Sequence, residues 1–240
     1  PIPTDLNLTL PRLREHSGQL VDGLRRKSVK ELQQLMGISE KLALLNAERY
    51  QSYTDTFSET NAKPAILMFK GDVYTGLEAD TFTEAEMRFA QQHIRILSGL
   101  YGVLRPLDLI QAYRLEMGTK LRAGNYKNLY DFWGSTITEV LNEDLAASGG
   151  DEVINLASQE YFQAVKADQL KGKLIHIHFK ENRNGQLKVI SFNAKKARGR
   201  MAQLIVKEGV TTAENLKTLV VDGYTYFPGQ STESDWLFVK

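Results

Sequence analysis

The chain has 240 residues, enough to bury a substantial core as one large domain or two small ones. It carries 30 Lys+Arg against 29 Asp+Glu and no cysteine, which excludes disulfides, thiolate zinc sites and Cys-ligated iron–sulfur clusters. With charge so nearly balanced, a surface for a polyanion has to come from segregated cations, and with no apolar run near the roughly 20 residues that span a bilayer, neither a membrane helix nor a membrane partner is expected.

The first fifty or so residues read as helical. Pro11 is placed to open a helix through Leu13, Leu20 and Leu24. Ser28-Val-Lys-Glu31 is a capping box ahead of an apolar stripe of Val29, Leu32, Leu35 and Met36. Gly37 interrupts that stripe, and Ser39 is positioned to cap a second helix whose inner face is Leu42, Ala43, Asn46, Ala47 and Tyr50. This helix, tight turn and helix resembles a helix-hairpin-helix, a clamp for the DNA backbone. In that reading Gly37 turns the chain sharply, the amides of Ile38, Ser39 and Glu40 face a phosphate at a helix start, and Lys41 and Lys30 add charge. The alternative is a plain αα-corner with glycine as a helix C-cap.

Ala65 to Phe69 reads as a short apolar strand leading into Lys70-Gly71-Asp72. Thr83-Glu-Ala-Glu86 is a second capping box, opening a helix through Met87, Phe89, Ala90, Ile94 and Leu97. Phe132 to Ala147 suits another helix, with Phe132-Trp133 as a core aromatic cluster at its start. Val153 to Ala157 reads as a buried strand, with Ser158 capping a short helix through Tyr161. Leu174 to Lys180 alternates, placing Ile175, Ile177 and Phe179 on one face and His176, His178 and Lys180 on the other. Asn184-Gly185 is a hairpin signal leading to a strand from Leu187 to Phe192. Ala194 to Val206 reads as a helix, followed by two short strands at Tyr224 to Phe227 and Trp236 to Val239. Strands and helices interleave without a regular βαβ beat, so the fold class expected is α+β: a single mixed domain over 1–240 with a central mixed sheet.

From Asn182 to Lys207 there is no acidic residue, while Arg183, Lys188, Lys195, Lys196, Arg198, Arg200 and Lys207 are cationic. On the helix from Ala194 the apolar stripe is Ala194, Ala197, Met201, Leu204 and Ile205, with Lys195, Lys196 and Arg200 projecting away and Arg198 bordering it. A fixed cationic face of this kind suits phosphate. Gly199 inside the helix costs about 1 kcal/mol relative to alanine, which points to a close neighbour such as a backbone or a ligand. The competing reading is a solvated helix. A second candidate site is enzymatic, with Lys70, Asp72, Glu116 and Glu160 acting on nucleic acid or a small phosphorylated ligand. The four histidines offer no third ligand beside His176 and His178, so no metal and no cofactor are expected. There is no P-loop, dinucleotide fingerprint or serine-nucleophile elbow.

Five blocks, in order, carry a further resemblance: Phe69-Lys-Gly-Asp-Val-Tyr-x-Gly-Leu77, Leu97-Ser-Gly-Leu-Tyr-Gly-Val-Leu-Arg-Pro-Leu-Asp108, Tyr113-Arg-Leu-Glu-Met-Gly118, Asn155-Leu-Ala-Ser-x-Glu-Tyr161 and Ala194-Lys-Lys-Ala-Arg-Gly199. Together they resemble the YaaA family of bacterial peroxide-stress proteins. Members of that family begin with a short strand and a Ser-Pro-Ala-Lys segment; neither is seen here, and a truncated chain is the expectation. The resemblance implies a cytoplasmic protein induced by hydrogen peroxide, which limits damage to DNA and protein by lowering unincorporated iron. It also implies binding of duplex or branched DNA through a positive cleft and a helix-hairpin-helix, with DNA recombination and repair proteins as further partners. It makes Lys70, Arg105, Arg114, Lys195, Lys196 and Arg198 the cleft residues, beside Gly37, Ile38, Ser39 and Lys41 of the hairpin, with no catalytic residue assigned.

Overall fold

Residues 5–240 are described by the computed structural model. Three helices lead, α1 (Arg14–Arg25), α2 (Val29–Met36) and α3 (Glu40–Ser52). Both caps read from the sequence form. The Ser28 and Glu31 side chains exchange hydrogen bonds with each other's backbone amides, and Ser39 Oγ accepts from the Leu42 amide. The first helix begins at Arg14, three residues beyond Pro11.

The middle of the chain is made of short pieces: β1 (Lys63–Pro64), α4 (Ala65–Met68), α5 (Asp72–Leu77), α6 (Glu84–His93), β2 (Ile96–Ser98), β3 (Gly102–Leu104), β4 (Leu109–Ile110), α7 (Leu129–Trp133) and α8 (Thr136–Ser148). Here the expected strand over Ala65 to Phe69 is instead one helical turn, closed by the Phe69 amide on the Ala65 carbonyl. The amides of Ala65 and Ile66 are taken by the carbonyls of Asp108 and Pro106. A short run that is apolar on every side satisfies a buried turn as well as a buried strand, and these long-range acceptors decide it. The helix opened by Thr83 stops at His93, and Ile96 and Leu97 pair with β3 instead. Phe132 and Trp133 end a short helix of their own, and Gly134, at φ +49°, separates it from the next.

The C-terminal part holds β5 (Glu152–Asn155), α9 (Gln159–Phe162), β6 (Lys173–Arg183), β7 (Gln186–Lys188), α10 (Ser191–Glu208), β8 (Thr225–Tyr226) and β9 (Asp235–Val239). The sheet order is β5-β6-β9-β8, with β7 folded back on β6. The β5–β6 and β6–β9 pairs are parallel, and β6–β7 and β8–β9 antiparallel, so the sheet is mixed and the fold is α+β. The alternation expected on β6 is present: Ile175, Ile177 and Phe179 are buried. The strand expected through Phe192 ends at Lys188, and the basic helix starts three residues early, at Ser191.

Two apolar clusters result. One gathers the helices and short strands before residue 166 around Trp133, Tyr101, Leu20 and Leu24. The other lies between the sheet and α10 and includes Ile177, Trp236, Phe238, Ala197 and Met201. Each large side chain fully buried in them stabilises by about 1.5–3 kcal/mol. The helix α10 joins the two, because its Val206 belongs to the first and its Ala194, Ala197 and Met201 to the second.

Candidate functional site

The basic helix α10 is clamped on two sides. One face lies on the sheet through Ala194, Ala197 and Met201, and another is crossed by α5. The crossing is backbone on backbone. A β-carbon at Gly199 would stand 1.7 Å from the Val73 carbonyl oxygen, and one at Gly76 would stand 2.0 Å from the Lys196 carbonyl oxygen. The close neighbour that Gly199 signalled is therefore the main chain of α5. The start of α10 is pinned as well. Glu181, buried at the end of β6, accepts from Asn193 Nδ2 (2.8 Å), Arg183 Nη2 (2.6 Å) and the Tyr224 hydroxyl (3.0 Å). These contacts, led by Asn193, hold its carboxyl at about 2. That tie fastens Asn193, in the first turn of α10, to β6, and nothing local in the sequence announces it.

Exposed Lys188 ends β7, and the other six cations of this segment divide into two groups. Arg183 pairs with Glu181, Arg200 with Glu78 (2.9 Å) and Asp222 (3.2 Å), and Lys207 with Glu86 (3.3 Å). Arg200, expected to project freely, is thus bound to acids on other elements, and it holds Glu78 below the usual carboxylate range. Lys195, Lys196 and Arg198 have no carboxylate within ion-pair distance among the described residues. Lys195 is exposed, while Lys196 and Arg198 are partly covered. The guanidinium of Arg198 reaches only the Leu156 carbonyl, at 3.5 Å, and burial alone pushes it below the ordinary arginine value. Lys195 and Arg198, three residues apart, share one edge of the helix. Contact of Gly199 with Val73 brings the start of α5, and with it Lys70, Gly71 and Asp72, beside α10. Gly71 has φ +119°, a backbone state closed to residues with a side chain, and exposed Lys70 precedes it.

The other family-like blocks meet around aromatic rings nearby. Phe69 stacks on Tyr74 (centroids 5.4 Å apart) and meets Tyr113 edge-on. The Tyr113 hydroxyl pairs with Ser98 Oγ at 2.5 Å. Burial raises the Tyr74 and Tyr113 hydroxyls well above their normal value, and desolvation, followed by Glu160 and Glu116, raises Tyr161 to about 12. Of the candidate carboxylates, Glu160 accepts from the Gly118 amide (2.9 Å) and Glu116 pairs with Arg114 (3.1 Å). Asp72 sits in the first turn of α5. Glu116 and Glu160 therefore both border Tyr161, each with a structural partner of its own. The tyrosines went unassigned in the sequence; their only signal was membership of the same blocks.

The remaining candidate residues fall elsewhere. Arg105 is bound to Asp108 (2.9 Å) and to the Leu10 carbonyl (2.9 Å), which ties the N-terminal segment to the turn before β4. Gly37 adopts φ +61° as the C-cap of α2, and the Ile38 amide closes on the Gln33 carbonyl at 3.2 Å. That pattern is the C-capping αα-corner, so the Ile38 amide expected to face a phosphate is already bonded. Ser39 caps α3, and Lys41 is exposed in its first turn. Among the described residues no group of three or more His, Asp or Glu side chains could hold a metal ion. His176 accepts from or donates to Asn155, and His178 pairs with Asp235. No helix among the described residues is long and apolar enough to cross a membrane.

These features define an α+β protein with a closely packed basic helix, crossed by a glycine-packed helix and bordered by a tyrosine cluster. The family model described as peroxide stress protein YaaA matches residues 2–230. The chain is 52% identical over 240 residues to a UPF0246 protein of Shewanella amazonensis, covering all of this chain and 93% of that one. It is 50% identical to a UPF0246 protein of Acaryochloris marina (98% and 92% covered) and 49% identical to one of Cellvibrio japonicus (99% and 92%). The chain belongs to the YaaA peroxide-stress family.

Proposed function

We propose that this peroxide-stress protein binds DNA, duplex or branched and without regard to sequence, and so limits oxidative and iron-dependent damage. The observation that carries the reading is the trio Lys195, Lys196 and Arg198, none within ion-pair distance of a carboxylate among the described residues, on a helix packed backbone to backbone against α5; Lys196 feels Glu78 only at longer range. A desolvated guanidinium with no carboxylate costs stability, and a phosphate would relieve that cost. Lys70 adds a fourth cation at the start of the crossing helix. Phosphate contacts carry no base information, which suits a protein acting on damage anywhere in a genome. The hairpin contributes Lys41 and the amides of Ser39 and Glu40 as a secondary contact. The reading places the protein in the cytoplasm beside recombination and repair proteins.

The test is a gel-shift titration of duplex DNA with the wild type and with the double variant Lys195→Glu, Lys196→Glu. The wild type should shift the duplex and the variant should not. A variant that binds like the wild type removes α10 from the interface.

A further inference from the structure

The outward face of α3 is apolar where a surface helix is ordinarily polar. Its buried side carries Ala43, Asn46 and Tyr50, while Leu42, Leu44 and Leu45 are 40%, 51% and 40% exposed. No other helix or strand among the described residues holds more than one large apolar side chain this exposed. Single exposed leucines need no explanation, but three within four residues form a patch, and such a patch marks an interaction surface. The patch is held in place at both ends of the helix. Ser39 caps its start, and the Tyr50 hydroxyl near its end donates to the Arg114 carbonyl. Arg25 donates from Nε to the Tyr50 carbonyl (2.9 Å) and from Nη2 to the Tyr53 carbonyl (2.9 Å).

Four charges frame the leucines, Glu40 and Lys41 before them and Glu48 and Arg49 after them. None of the four joins an ion pair among the described residues, and Arg49 donates to Asn46 Oδ1 at 3.4 Å. Residues three and four apart share a helix face, so Lys41, Leu44, Leu45 and Glu48 lie along one stripe. The order of charges along the helix (minus, plus, minus, plus) is its own complement when the helix is turned end for end. A two-fold axis midway between Leu44 and Leu45 sets Lys41 opposite Glu48 and Glu40 opposite Arg49 of a second copy, with Leu44 against Leu45 at the centre. Symmetry makes each of these pairings occur twice. We propose that α3 is a self-association surface, on which a second copy of this chain packs its own α3 antiparallel. One helix pair is smaller than the roughly 1,200–2,000 Å² of a stable complex, so the dimer forms in the micromolar range. Lys41 is also the cation that the hairpin offers to DNA, so the dimer is a state of the DNA-free protein.

Sedimentation equilibrium of the full chain, from low to high micromolar concentration, tests the proposal. The wild type should pass from one to two chain masses across that range. Leu44→Gln with Leu45→Gln should stay a monomer throughout and keep the melting temperature measured at low concentration. Lys41→Glu and Glu48→Lys each set like charges opposite one another twice, and each should raise the dissociation constant about tenfold. Combined in one chain, the two reversals restore opposite charges and should return the constant to within about threefold of the wild type. Lys41 and Glu48 lie two turns apart on their own helix, beyond ion-pair reach, so that rescue cannot arise within one chain. A wild type that stays monomeric, a variant lacking both leucines that still dimerises, or a double reversal as weak as the single ones overturns the inference.

Discussion

Gly199 on α10 lies directly against the carbonyl of Val73 on α5, with no room for a side-chain carbon between them. Both sides of that contact are main chain, so neither can yield by rotating a side chain. Gly199→Ala should therefore lower stability by about 3 kcal/mol, at the upper end of overpacking effects. Gly76→Ala, against the Lys196 carbonyl, should act in the same direction. Urea unfolding of each variant checks this, and an unchanged midpoint would mean that the two helices are further apart than described.

Arg198 separates fold from function. Its guanidinium is partly buried, has no acid partner and is pushed down by desolvation. Arg198→Met should leave the melting temperature unchanged or raise it, since the uncompensated charge goes and the stem volume stays. The same variant should lower DNA affinity and reduce the magnitude of the salt slope by about 1. An Arg198→Met protein that is markedly less stable would show that Arg198 is a structural residue.

Acid should loosen the molecule through Glu181 and Asp144. Glu181 is held at about 2, chiefly by Asn193 and then Arg183. Burial would raise Asp144, but the hydrogen bonds from Arg12 and Arg95 outweigh it and leave it at about 2. Folded values below the unfolded ones mean that both contributions are complete above the unfolded carboxylate range, near pH 4–4.5, and are lost as pH falls toward 2. Melting temperature measured from pH 6 to pH 2 should drop across that window. Glu181→Gln should flatten part of the drop.

At the hairpin, Gly37 has φ +61° and its neighbour Ile38 closes the helix through Gln33. Gly37→Val forces a β-branched residue into the left-handed region and should cost roughly 1–2 kcal/mol, whereas Gly37→Asn should cost less. If the corner also touches DNA, Gly37→Val will weaken binding while the circular-dichroism spectrum stays native.

What the sequence disclosed was local. Ser28 with Glu31, Thr83 with Glu86, and Ser39 and Ser158 as caps are bonds spanning three residues, and all form. The alternation on β6 was legible because one face is buried, and Gly199 was legible because a helix interior tolerates glycine poorly. The run Ala65 to Phe69 reads as a strand but turns as a helix because its conformation is set by distant partners, the carbonyls of Asp108 and Pro106. The charge pairs behave likewise. Arg200 looked as free as Lys195 in the sequence, yet Glu78 and Asp222 are 122 and 22 residues away along the chain. Which cations remain for a ligand is thus a property of the tertiary structure.

The central claim is that phosphates take up the cations that the fold leaves unpaired on and beside α10. The most direct measurement is duplex-DNA affinity as a function of salt, using two unrelated sequences and the wild type beside Lys195→Glu, Lys196→Glu. With Lys70, Lys195, Lys196 and Arg198 engaged, the wild type should give a log–log slope of about −3 to −4, equal for both sequences, and the charge-reversed protein should bind neither. Affinity that ignores salt, or a charge-reversed protein that binds as tightly as the wild type, would contradict the account.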